Sequence, residues 1–437
     1  MAIAAETKTL ASDLIAYIDA SPSPWHVAAC SAQRLLAQGF TQLDETERWR
    51  LAAGGRYFVV RGGASLIAFV LGTDPLAQTG LRLVGAHTDS PGLRLKPRAA
   101  HASESVMRLG VEVYGGPILA TFTDRDLSLA GRVNVRAAGG FETRLLRFDQ
   151  TLVRLPNLAI HMNREVNENG LKLNKQTELP LIFGISPAGA TDGDADGCFR
   201  SQIAAELQVD AGDILTWELN IYDTQRGSLW GAEQEFIADS QLDNLGSCHA
   251  ALTALLACAS PAATCACAFF DHEEVGSESA AGAGGSFVSD VIERLAASLG
   301  LDEEARRCAL ARSFFISADM AHAYHPNFPA AYEPCHRVQV NAGPVIKSNA
   351  NQRYTTGADT AARFIALCER AGVPFQQYAH RTDLGCGSTI GPIVASRLGI
   401  ASVDVGAPMW AMHSARESAG VLDHGYMSAV LQEAFRS

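Results

Sequence analysis

Acids and imidazoles recur in this chain just beyond short apolar runs. The pieces are His87-Thr88-Asp89, Asp243-Asn244, Asp271-His272-Glu273-Glu274, Asp319-Met320-Ala321-His322 and Met412-His413-Ser414. Four of the five follow a run of small or apolar residues that reads as a buried strand. A fold that gathers acids and imidazoles at several strand ends builds a metal site. A hydrolytic metalloenzyme is therefore the first reading.

The runs sit in an alternating pattern. Leu81–Ala86 reads as a strand ending at His87. Cys265–Phe270, Phe314–Ala318 and Ala401–Val405 read as further strands. Helical spacing covers residues 9–38, broken at Pro22 and Pro24, and returns at Leu245–Cys258, Asp290–Leu299 and Thr360–Ala371. Tyr57–Arg61 and Ser65–Leu71, joined by Gly62-Gly63, read as a hairpin. Strands alternating with helices predict an α/β fold, a mixed sheet sandwiched by helices, whose sites gather beyond the carboxyl ends of its strands.

Between about 100 and 235 the texture changes. Leu127, Leu129, Val133 and Val135 alternate with polar neighbours, and Val106–Val113, Leu152–Leu155 and Ile214–Ile221 are β-like. Asn167–Gly170 and Asp192–Gly197 read as turn-rich loops. The expected organisation is a discontinuous catalytic domain, residues 1–99 and 236–437, carrying an inserted β-rich domain at 100–235. A longer edge of one sheet is the alternative.

Composition excludes several classes. The 437 residues exceed one average domain. A net charge of -12 with no Lys/Arg run argues against a nucleic-acid partner. No apolar stretch is long enough to span a bilayer. Glu6, Lys8, Asp13 and Asp19 interrupt any signal-peptide core. The ten cysteines are too sparse for a disulfide scaffold, and Cys258, Cys265 and Cys267 sit among small and aliphatic residues. The cytoplasm is the expected compartment.

Zinc takes imidazole nitrogen and carboxylate oxygen, and one carboxylate can bridge two ions about 3.5–4 Å apart. Glu273 and Glu274 in an extended chain point to opposite sides, so one can ligate while the other faces the cleft as a base. His87 and Asp89 point the same way, which suits Asp89 to fix the imidazole. Each piece alone has a plain reading: a turn, a helix cap, a solvated face. Their shared grammar favours the metal site.

Further motifs carry a resemblance. They are Ser23-Pro24-Trp25-His26, Ala86 through Pro91, Leu158 through Arg164, Asp239 through Asn244 and Phe270 through Ser277. Asp319 through Ala323 follows, then His325-Pro326-Asn327, Gly343 through Lys347, Gln352-Arg353-Tyr354, Gly387 through Pro392 and Met412 through Glu417. Nearly end to end, the chain resembles the M18 metallo-aminopeptidases of the aspartyl aminopeptidase type.

The resemblance implies two zinc ions per subunit, bridged by Asp243, with manganese or cobalt as alternatives. His87 and Asp319 complete one site; Glu274 and His413 complete the other. Glu273 is then the general base and Asp89 the support of His87. A cis peptide is implied at Asp243–Asn244. Lys347, with His322 and Tyr354, selects an acidic first residue on short peptides. His161, from the inserted domain, reaches the partner subunit's site, or is a further zinc ligand. Dimers form through the inserted domain and assemble into a dodecamer. A deacylase or carboxypeptidase would use the same metal set but clamp a carboxyl terminus, for which Arg353, Arg381 or Arg416 is available. A metal-dependent scaffold would lack a ligand or the base, and neither is missing.

Overall fold

A computed structural model describes residues 3–437 of the chain. Its largest sheet has nine strands. Their order is Thr41–Gln42, Arg56–Arg61, Ser65–Val70, Thr264–Phe270, Leu81–His87, Phe314–Ala318, Ala401–Gly406, Val345–Ser348 and Gln376–Ala379. Four neighbours in the middle, from Thr264–Phe270 to Ala401–Gly406, run parallel. Such strands are covered on both faces and read as continuous apolar runs. In Thr264–Phe270, Cys265, Cys267 and Phe269 face one core, and Ala266, Ala268 and Phe270 the other. Helices Ala5–Asp19, Leu242–Leu256, Ala358–Ala371 and Val421–Arg436 cover the first face. Helices Phe287–Ser298, Glu303–Arg312 and Ile390–Leu398 cover the second.

Register decides where the chemistry falls. His87 pairs with Phe270, and Ala318 with Val405. His87, Asp271 and Asp319 therefore leave the sheet at the same carboxyl edge.

A second sheet of six antiparallel strands has the order Gly140–Arg147, Leu127–Ala137, Ile214–Asp223, Gly92–Ser103, Val106–Tyr114 and Leu181–Ile185. It has its own core, including Leu129, Val133, Phe199 and Leu219. It opens at Gly92, only three residues past Asp89, and its last strand ends at Asp223. Asp192–Gly197 is not a loop. It begins the helix Asp192–Leu207, because Thr191 and Asp194 form a reciprocal capping box. Phe199 of that helix packs edge-on against Trp217 of the sheet. Leu152–Leu155 contributes two isolated bridges rather than a strand.

A third sheet went unforeseen in the sequence. It joins Ser228–Trp230, Phe236–Asp239, Glu417–Gly420, Pro408–Trp410 and Ala321–His322. Strands of two to four residues are too short to show a period. No helix among the described residues is long and apolar enough to cross a membrane.

Candidate metal centre

His87 ends its strand buried, and its Nδ1 lies 2.9 Å from the backbone oxygen of Asp89. A carbonyl only accepts, so Nδ1 carries a proton and Nε2 is the nitrogen turned toward the acids. That Nε2 is 3.4 Å from Asp243 Oδ1 and 3.8 Å from Asp319 Oδ1. His413 repeats the arrangement. Its Nδ1 donates to the Gly116 carbonyl at 3.1 Å. Its Nε2 is 3.6 Å from Asp243 Oδ2 and 3.5 Å from Glu274 Oε1.

Asp243 thus offers one oxygen to each imidazole. It stands just after the strand Phe236–Asp239, at the start of the helix Leu242–Leu256, and its peptide bond to Asn244 is cis. Two donor triads result: His87, Asp243 and Asp319; and Asp243, Glu274 and His413. His87, Glu273 and Glu274 form a third combination in which donor atoms also lie within 4.8 Å of one another.

The electrostatics call for a cation. Burial pushes the Glu273 carboxyl up to about 8 and the Glu274 carboxyl well above its usual range, with the Asp243 charge adding to both. Burial opposes the charged form of His87, but the nearby carboxylates of Asp243, Asp319 and Asp89 outweigh it and hold the imidazole well above its usual value. Asp243 Oδ1 is buried without a hydrogen-bond partner. An orphaned carboxylate oxygen among imidazole nitrogens and further carboxylates fits zinc.

Two buried carboxylates hold the backbone of Glu273, Glu274 and Asp243. Asp89 Oδ1 accepts the backbone N–H of Glu273 at 3.0 Å, and Oδ2 that of Glu274 at 3.1 Å. Glu417 Oε2 accepts the N–H of Asp243 at 2.9 Å. Three expectations are corrected. Asp89 fixes His87 mainly through its backbone oxygen, its carboxylate lying 3.5 Å from the ring. Glu273 and Glu274 diverge from a 3-10 turn, Glu273–Val275, not from an extended chain. His413, moreover, follows the third-sheet strand Pro408–Trp410, not a strand of the main sheet.

An open cleft of about 460 Å³ faces the cluster. Lys347, His322, Tyr354 and Thr389 line it together with Glu273. Lys347 is buried, and its Nζ donates to the carbonyls of Asp319 at 2.9 Å and Met320 at 3.2 Å. It lies 5.1 Å from the centre of the Tyr354 ring. An ammonium has three donors, so one is left after the two carbonyls. Burial, with the Lys347 charge beside it, lowers the His322 imidazole to about 4, so the ring is neutral.

His161 is not brought to this cleft within its own chain. It is exposed on the single turn Ile160–Met162, flanked by exposed Leu158, Ile160 and Met162. Sequence reasoning gave no role to Glu417, Tyr114 or Gly116. Glu417 closes one of the quoted motifs, which was the available signal; the other two act through contacts that no local pattern shows.

Imidazoles and carboxylates gathered beyond strand ends of two sheets make a candidate metal centre, and the comparisons place the chain among hydrolytic metalloenzymes. Residues 17–435 match the family described as aminopeptidase I zinc metalloprotease (M18). A probable M18 family aminopeptidase 2 of Azotobacter vinelandii is 48% identical over 424 residues, covering 97% of each chain. One from Stutzerimonas stutzeri is 49% identical over 418 residues, covering 96% of each. Among solved structures, that of the Ape4 and Nbr1 complex superposes with a TM-score of 0.96 at 35% identity, over 100% of this chain and 88% of that one. The S. cerevisiae mApe1 dodecamer gives 0.85 at 25% identity, over 98% and 96%. The chain belongs to the M18 family of zinc aminopeptidases, which are peptide hydrolases.

Proposed function

We propose that this chain removes an N-terminal Asp or Glu from short peptides at a site for two zinc ions. The observation that carries the reading is Asp243, whose two oxygens each face one histidine. His87, Asp243 and Asp319 would hold one ion, and Asp243, Glu274 and His413 the other. Manganese or cobalt suits the same donors. Bound zinc acidifies a water and polarises the scissile carbonyl.

The chain's own residues supply the rest. Glu273 belongs to neither of these two triads and lines the cleft. It takes the proton of the attacking water and returns it to the leaving amine. Asp89 keeps Glu273 and Glu274 in place through their backbone N–H groups. The remaining N–H of Lys347 receives the acidic side chain of the first residue, with His322 and Tyr354 as walls.

His161 belongs on this reading to the site of a neighbouring subunit. The exposed apolar residues around it are what a subunit contact would cover. The second-sheet region, residues 100–235 by the sequence boundaries, is the inserted domain that makes the dimer. Dimers assemble further, as in the mApe1 dodecamer. The ten unbridged thiols suit the reducing cytoplasm. Initial rates on Asp-, Glu-, Ala- and Leu-based substrates, each with a free and a blocked amine, test the proposal. Activity on free-amine acidic substrates that vanishes with a chelator is expected. Undiminished activity after complete metal removal refutes it.

A further inference from the structure

The second sheet sends one segment to the Glu274 and His413 side of the metal centre. Tyr114 ends the strand Val106–Tyr114, and its hydroxyl donates to Asp89 Oδ2 at 2.7 Å. The same carboxylate accepts the N–H groups of Glu273 and Glu274. Three donors from two sheets thus converge on a carboxylate with no solvent exposure. The face of the Tyr114 ring is covered by the Arg94 guanidinium, 3.6 Å from its centre.

The next residue permits the close approach. Gly115 has φ +65°, and a Cβ there would lie 3.1 Å from Glu274 Cβ and 3.3 Å from its carbonyl oxygen. Beyond it, Gly116 O accepts from His413 Nδ1 at 3.1 Å. Ile118 N–H donates to His413 O at 2.9 Å, and Thr121 Oγ1 accepts from Ala415 N–H at 2.8 Å. None of these bonds belongs to the ladder of the second sheet. They join it to Glu273 and Glu274 on one side and to His413 on the other.

We propose that Tyr114–Gly116 is a clamp by which the second sheet of the same subunit sets the metal centre, Tyr114 being the positioning residue for the Glu273–Glu274 turn and Gly116 for the His413 ring. This rests on the ligand assignment above. It gives the second sheet a task inside its own subunit, separate from any role in assembly. Partners of this kind commonly alter metal affinity or activity by about 10–100-fold when removed.

The test compares full-length Tyr114→Phe, Gly115→Ala and Val135→Ala proteins with the parent. Val135 is buried in the second-sheet core on Leu127–Ala137, a strand that does not pair with Val106–Tyr114. Zinc affinity is read by titrating the metal-free proteins against a chromophoric chelator, beside kcat, KM and melting temperature. Tyr114→Phe keeps the ring and loses only the hydroxyl. It is expected to weaken zinc retention about 10–100-fold and to lower kcat while KM stays near the parent value. Gly115→Ala should weaken zinc as well. Val135→Ala should lower the melting temperature and leave zinc affinity intact. Parent-like zinc affinity in Tyr114→Phe, or equal loss in Val135→Ala, overturns the clamp. His87→Ala and His413→Ala run alongside: if both retain the full zinc complement, the ligand assignment itself has failed, and the clamp with it.

Discussion

Glu417 Oε1 accepts the backbone N–H of His413 at 2.6 Å. Its other oxygen holds the N–H of Asp243, so one carboxylate sets the backbone of two residues whose side chains face each other across the centre. Glutamine at this position keeps the size but has one acceptor oxygen instead of two. Glu417→Gln should therefore lower zinc content and activity by about 10–100-fold. Metal analysis after dialysis checks this; a fully loaded, fully active variant contradicts it.

Glu273→Gln separates chemistry from metal binding. The side chain keeps its shape and loses its basicity. Zinc content should match the parent while kcat falls about 10²–10⁴-fold, the range of general acid–base contributions. Rates and metal content on the same sample decide it. A variant that loses its zinc would make Glu273 a ligand rather than the base.

On the proposed function, Lys347 meets the acidic side chain of the substrate. Lys347→Ala should remove the preference for Asp and Glu over Ala and Leu, read as ratios of kcat/KM. Unchanged selectivity would move that role elsewhere in the cleft.

Three histidines outside the centre predict acid sensitivity. Burial lowers His26 to about 4, with the Arg147 charge adding to it. Burial also lowers His249, against the pull of Asp13, and holds His424 well below its usual value. The unfolded chain binds protons at these rings near pH 6.5, before the folded one does. Each ring's contribution is complete above pH 6.5 and is lost as pH falls through its folded value, about 4 for His26. The NMR signals of these three imidazoles in the chelator-treated protein should therefore remain those of neutral rings at pH 6, where a free imidazole is largely charged. Signals that titrate near pH 6.5 would contradict the buried neutral state of the rings.

How much of this was legible depended on range. Leu81–His87, Thr264–Phe270 and Phe314–Ala318 announce themselves because a parallel central strand is apolar on both faces. Their ends, His87, Glu273, Glu274 and Asp319, could be read with them. The helix Asp192–Leu207 was hidden by an Asp/Gly-rich start that looks like a turn until Thr191 caps it. The third sheet was hidden by the shortness of its strands. Asp89 was expected to act on its own histidine. Its grip on the N–H groups of Glu273 and Glu274, far along the chain, depends on how two strand ends meet. Tyr114 lies in a β-rich stretch where nothing local marks a tyrosine aimed at another sheet.

The central claim is that Asp243 is shared by two ions. Zinc equivalents per chain, measured for the parent and for Asp243→Asn after the same reconstitution, test it most directly. The account predicts two for the parent and a loss at both sites in the variant. A parent that saturates at one, or a variant that keeps one site at parental affinity, would contradict it.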